Sequence, residues 1–221
     1  MRSAPCLAFA TAAVVSIAPA AAQTQTEVLV HVERSVPNPI VSINFPESNP
    51  IQFRGPIAQR SDYRTYRQVI TWPLGNRPGR SDFQLYAKVD AGPSNTYYLR
   101  LNGRTTQTNI YVFRYRYTEC ERQNLSAPSA PEDIFRQLAI AEAMLTVPNP
   151  TRRCSSSNLQ HWTNLWIDRV NRLWQQNQFL RLNPAVISAI RGSYQARRLQ
   201  LPEELGKIVD RDRQLSAVFA R

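Results

Sequence analysis

The chain has few of the residues that metal binding and nucleophilic catalysis most often use. Its 221 residues include only two histidines, His31 and His161, and three cysteines. A zinc centre normally needs three or four ligands of suitable type, and no His-x-x-x-His pair is present, so no metal is expected. The seven glycines form no phosphate-cradling loop. A G-x-S-x-G elbow is absent, and Gly192-Ser193 falls inside an apparent helix. Neither lysine completes a Ser-x-x-Lys spacing, because the residues three positions before them are Leu85 and Glu204. Beyond the N-terminus no apolar run approaches the roughly 20 residues of a membrane-spanning helix. The mature chain is therefore expected to be soluble, with no transmembrane segment, no cofactor and no assigned catalytic residue.

Residues 1–22 read as a secretory signal peptide. Arg2 supplies the basic n-region, Leu7 to Ala18 the apolar core, and Pro19 with Ala20-Ala21-Ala22 the small-residue cleavage site, leaving Gln23 first. The short, alanine-rich leader suggests a bacterial periplasmic or secreted protein. An uncleaved anchor is the rival reading. Cys6 precedes the apolar core and leaves with it. The two remaining cysteines, Cys120 and Cys154, read as one disulfide in an oxidising compartment. The bridge closes a loop of about 35 residues, worth roughly 4 kcal/mol in the chain-entropy model. The alternative is a reduced Cys154 nucleophile near His161 in sequence.

The chain is basic. Lys and Arg total 27 against 16 Asp and Glu, for a formal charge of +11. Lys88 and Lys207 are the only lysines, so the charge is almost wholly arginine. Arginine makes planar, bidentate contacts to phosphate and carboxylate. Outside the cytoplasm the available anions are lipid headgroups, phosphorylated glycolipids, acidic polysaccharides and wall polymers. Nucleic acid is a poor partner in that compartment. The plainer explanation is codon bias and a generally basic surface.

Two regions differ in periodicity. Residues 23–118 alternate with period two: Val28, Val30 and Val32; Val41, Ile43 and Phe45; Ile51 and Phe53; Tyr66–Thr71; Phe83 to Val89; Tyr97, Leu99 and Leu101. Asn102-Gly103 then suits a tight hairpin turn, returning the chain through Thr105–Tyr117. About seven short strands predict an antiparallel β-sandwich of immunoglobulin-like type, although the cysteine pair and tryptophan of antibody domains are missing. Residues 131–221 read as a helical bundle. Pro131 opens the first helix, to about Leu145. The second spans about Ser157 to Leu182. Asn183-Pro184 caps a third, to about Leu199. Pro202-Glu203-Glu204 opens the fourth. Residues 119–130 form the linker. The fold class expected is thus α+β, with the sheets first and a small bundle after.

Four features are candidate sites. In Tyr111–Tyr117, alternation puts Tyr111, Phe113, Tyr115 and Tyr117 on one face and Val112, Arg114 and Arg116 on the other. That arginine face could grip an anionic polymer. It could equally be the solvated side of an ordinary half-buried strand. Arg100 and Arg104 lie on the same expected hairpin, with Arg100 opposite Thr105. Trp162, Trp166, Val170 and Trp174 recur every four residues, as the buried face of a helix does. Trp174, at the end of the stripe, is the one expected to be exposed for contact. The acidic pairs Glu132-Asp133 and Glu203-Glu204 sit at helix starts, where the dipole explains them. Glu119, Asp168 and Asp62 remain as single carboxylates.

The leading expectation is a non-catalytic periplasmic or secreted protein. It would bind an anionic envelope glycan or lipid, or an envelope protein partner, through Arg114, Arg116, Arg100, Arg104 and Trp174. The alternatives are an envelope hydrolase working through carboxylates, or a structural subunit offering an edge strand to a neighbour.

Overall fold

The computed structural model describes residues 24–45, 48–72, 85–90, 96–101, 107–113, 119–147, 154–176 and 182–219. Strands occupy the N-terminal half and helices the C-terminal half. The strands are β1 (Thr24–Glu33), β2 (Ile40–Phe45), β3 (Ser48–Gln52), β4 (Ala58–Gln59), β5 (Tyr63–Trp72), β6 (Leu85–Asp90), β7 (Thr96–Leu101) and β8 (Gln107–Val112). The helices are α1 (Pro131–Leu145), α2 (Ser156–Gln175), α3 (Pro184–Ala196) and α4 (Glu203–Phe219).

The strands form two four-stranded sheets, ordered β4-β5-β1-β8 and β3-β2-β6-β7. Period-two patterning sets the register of the first. Val28, Val30 and Val32 of β1 stand beside Gln68, Tyr66 and Arg64 of β5, and beside Thr108, Ile110 and Val112 of β8. The three valines, Ile110 and Val112 are buried, so this face is core. His31 points away from it, as alternation requires. In the second sheet Val41 and Ile43 are buried. Pro50 lies on its edge strand β3, a position that tolerates a residue without an N–H.

Two expectations about this region are corrected. The sheets are not wholly antiparallel, because β8 runs parallel to β1. The hairpin across Asn102-Gly103 also fails. β7 pairs with β6 in one sheet, while β8 joins β1 in the other. A turn signal is local, whereas the edge of β1 offers β8 an aliphatic row that matches Ile110 and Val112. An immunoglobulin-like order would group the second strand with the first, fourth and fifth. Here β2 lies with β3, β6 and β7, so that topology gains no support.

Two of the helices begin at side-chain caps, and Asn183 is the cap that the sequence predicts. Ser155 Oγ accepts the Asn158 N–H at 3.1 Å, and Asn183 Oδ1 accepts the Ala185 N–H at 2.9 Å ahead of Pro184. α2 ends at Gln175, earlier than the expected Leu182. α3 closes in a Schellman turn, with Leu199 N–H to Tyr194 O at 2.9 Å and Arg198 N–H to Gln195 O at 3.0 Å. Arg198 takes the left-handed position, φ 54°, where glycine is usual.

α1 is buried on most of its circumference, through Ile134, Phe135, Leu138, Ala139, Ile140, Ala141, Met144 and Leu145. It packs on β8 on one side and on α2 on the other. Trp162 and Trp166 of α2 are completely buried, with Leu159 and Leu173 beside them. The buried apolar residues form one cluster that runs from the valines of β1 through α1 to Val186, Ile190, Leu205 and Ile208.

Candidate functional site

The chain places polar side chains where the outer face of β1, β5 and β8 meets the start of α1. His31 of β1 faces Thr65 of β5 and Tyr111 of β8 in register, and Asn109 stands two residues before Tyr111 on β8. His31 Nδ1 lies 3.0 Å from Thr65 Oγ1, and its Nε2 lies 3.1 Å from Asn109 Oδ1. A neutral ring protonated at Nε2 donates to Asn109 and accepts from Thr65. The ring stacks on Tyr111 at 4.7 Å between centroids. Next to this group, the Tyr63 hydroxyl donates to Glu132 Oε1 at 2.7 Å, and Arg136 donates to both Tyr63 and Glu132. Burial raises Tyr63 above the ordinary tyrosine range, and the Glu132 carboxylate raises it further. Tyr111 is raised for the same two reasons, burial first. His31, Thr65, Asn109, Tyr63, Glu132 and Arg136 each have a hydrogen-bond partner within the protein. The arrangement fixes α1 on the sheet rather than presenting an open reactive centre.

The segment 119–130 lies along α2. The Cys120–Cys154 disulfide forms, with Cα atoms 4.9 Å apart. Asn158 Nδ2 donates to Cys120 O at 2.9 Å, His161 Nε2 to Gln123 O at 3.1 Å, and Trp162 Nε1 to Glu121 O at 2.9 Å. From α1, Gln137 Nε2 donates to Ser126 O at 2.9 Å, while its Oε1 accepts from the buried Arg169 Nε at 2.8 Å. His161 is therefore held by a backbone carbonyl, and Cys154 is bonded to Cys120. Neither is arranged as a nucleophile and base.

Of the residues expected to make contact, Arg104, Arg114 and Arg116 lie outside the described residues. Arg100 sits in β7 opposite Tyr86 of β6, not opposite Thr105. It is therefore in the other sheet from the β8 strand it was expected to flank. The Val112 side of β8, expected to carry the arginine face, is core at Val112 itself. Trp174 is half-buried, and the Arg211 guanidinium lies over its ring at 4.6 Å from the centroid. Burial lowers the Arg211 pKa, and Arg211 also donates to Asn171 Oδ1 at 2.7 Å.

The carboxylates are engaged separately. Glu132 takes Tyr63 and Arg136, and Asp133 accepts from Ser129. Glu203 and Glu204 both meet Lys207. Asp168 meets Arg169 and Arg172. Among the described residues no three His, Cys, Asp or Glu side chains gather in a metal-binding group.

One surface was missed in the sequence. β1 ends, β2 begins, β3 ends and β5 begins at one end of the sheets. Arg34 N–H bonds to Asp62 O at 3.0 Å, and Phe53 N–H to Val41 O at 2.8 Å. This brings the turn 34–39, the segment 53–57 and the turn 60–62 together. Arg34, Arg54 and Arg60 are exposed there. Arg64 donates to the carbonyls of Arg34 and Val36. The described acids at these turns are Glu33, which accepts from Ser35, and Asp62. Arg54 and Arg60 meet no carboxylate among the described residues. The available signal was the run of five arginines in residues 34–67. Its significance depends on which turns converge, which residue spacing alone does not give. No protein-family model, curated protein or solved structure matches the chain.

Proposed function

We propose that this is a non-catalytic protein of the cell envelope, periplasmic or secreted, that binds an anionic envelope component through arginine. The carrying observation is the end of the sheets where Arg34, Arg54 and Arg60 stand exposed, and where Arg54 and Arg60 meet no carboxylate among the described residues. An uncompensated guanidinium is a strong partner for phosphate or carboxylate. An extracytoplasmic location is supported by the formed Cys120–Cys154 bridge and by the leader-like residues 1–22. In this reading the two sheets stack as a sandwich, supported by the buried aliphatic row that each contributes. Arg100, Arg104, Arg114, Arg116 and Trp174 remain proposed contacts.

The test is co-sedimentation of purified protein with cell-wall sacculi and with anionic vesicles at low and high salt. Binding that weakens steeply with salt supports the reading, because exposed charges are screened. An Arg34→Gln/Arg54→Gln/Arg60→Gln variant and an Arg114→Ala/Arg116→Ala variant locate the surface. Absence of binding to either material sinks the reading and directs the search to protein partners by crosslinking.

A further inference from the structure

The arginine-bearing end also exposes aliphatic side chains. Ile40 opens β2 and is 55% exposed, and Ile57 precedes β4 and is 59% exposed. Their neighbours show that these exposures are local. Val36, Val41 and Phe53 are buried nearby. Continuing the Phe53–Val41 pairing by one residue puts Arg54 beside Ile40. Ile57 N–H bonds to Thr65 O at 2.8 Å, which holds its backbone on β5 while the side chain remains outside. Pro37 and Asn38, in the turn that leads into Ile40, are also exposed, with Asn38 at a positive φ of 40° that fixes the turn. One end of the molecule thus combines three exposed arginines with two outward isoleucines on tethered backbone.

The combination discriminates between anionic ligands. A hydrated acidic polysaccharide would use the arginines, but it gains little from β-branched aliphatic side chains, since sugars stack on aromatic rings. A phospholipid surface uses both. Arginines meet the phosphates, at about a fivefold gain in affinity for each basic residue near an anionic membrane, and aliphatic groups enter the boundary of the acyl layer. No described helix is long and apolar enough to cross a membrane, so the contact would be peripheral.

We infer that this end docks on an anionic phospholipid bilayer, with Ile40 and Ile57 entering the headgroup–acyl boundary and Arg34, Arg54 and Arg60 binding lipid phosphates. The inference rests on the envelope-binding reading and names its ligand.

The experiment measures partition of the purified mature chain, beginning at Gln23, onto vesicles of phosphatidylglycerol in phosphatidylcholine, onto phosphatidylcholine alone, and onto sacculi. It compares wild type with Ile40→Ser/Ile57→Ser and with Arg34→Gln/Arg54→Gln/Arg60→Gln. Circular dichroism checks that each variant is folded; the substituted positions are on the surface. Wild type is expected to prefer the anionic vesicles. The arginine variant should lose about a hundredfold in partition. The isoleucine variant should lose about tenfold, and that loss should persist at high salt. Equal partition of the isoleucine variant and wild type overturns bilayer docking at this end. Binding to sacculi without binding to vesicles overturns the lipid assignment and leaves the envelope-binding reading standing. Binding to neither overturns both.

Discussion

At the scale of single residues, the structure turns on side chains whose ionisation or backbone state is set by neighbours. Tyr63 is the clearest. As a neutral phenol it donates to Glu132, and burial with the adjacent carboxylate holds its pKa above the ordinary value of about 10. A group raised in the folded state contributes stability that is fully present below the unfolded pKa. That stability is lost as pH rises through the folded pKa. The chain should therefore lose thermal stability above pH ~10, and Tyr63→Phe should flatten that loss at the cost of one hydrogen bond, about 1 kcal/mol. Melting curves across the alkaline range check it; identical alkaline slopes for the two proteins would rule Tyr63 out. Absorbance at tyrosinate wavelengths should show Tyr63, Tyr111 and Tyr194 titrating late, since burial raises all three. Arg198 makes a second point. It occupies the left-handed position of the α3 Schellman turn, where a β-carbon is strained. Arg198→Gly should stabilise the chain by about 1 kcal/mol, read as a higher denaturant midpoint with an unchanged slope.

At the scale of elements, what could be read in the sequence followed from local chemistry. β1 alternates Val28, Val30 and Val32 against His31 and Glu33, and a half-buried strand requires that pattern. α1 and α3 announce themselves by Pro131 and by Asn183-Pro184, because prolines and an Asx cap satisfy or remove the unpaired N–H groups of a helix start. The four-residue spacing of Trp162, Trp166 and Val170 marks a core face, and the structure buries all three. What could not be read is non-local. Nothing around Asn102-Gly103 says that the next strand leaves its sheet for the far edge of β1. Two-residue β4 carries too little pattern to see. The arginine end was illegible because its members come from separate turns. The cysteine pair was legible from parity and from the leader-like residues 1–22, and its role follows from its neighbours. Cys120 and Glu121 are held to α2 by Asn158 and Trp162 as well as by the bridge. Cys120→Ala/Cys154→Ala should cost roughly 3–4 kcal/mol and lower the melting temperature by about 10 °C. Because the hydrogen bonds persist, the variant should still fold. A melting temperature unchanged within a degree or so would show that these contacts, rather than the loop closure, hold the segment.

At the scale of the whole molecule, the question is whether sheets and helices are one folding unit or two. Sequence periodicity divides them at residues 119–130, and a flexible joint would let each melt alone. The contacts argue otherwise. α1 is buried on both sides, by β8 and Phe113 on one and by Trp166 and the α2 face on the other, so neither half can release it without exposing a largely apolar helix. The Tyr63–Glu132–Arg136 group binds it to β5, and the Gln137–Arg169 pair binds it to α2 through a buried guanidinium. Removing either side would leave buried polar groups without partners, at about 1–3 kcal/mol each and more for the charged Arg169. The chain should thus unfold in one cooperative transition with the disulfide intact. Tryptophan fluorescence, reporting mainly on Trp162, Trp166 and Trp174 of α2, should coincide with amide exchange of Val28, Val30 and Val32 in β1. The calorimetric and van't Hoff enthalpies should agree. Leu138→Ala, in the middle of α1, should lower both signals together by about 2–5 kcal/mol. If α2 fluorescence and β1 exchange reported separate midpoints, the two halves would be independent domains, and α1 would belong to whichever half it melted with.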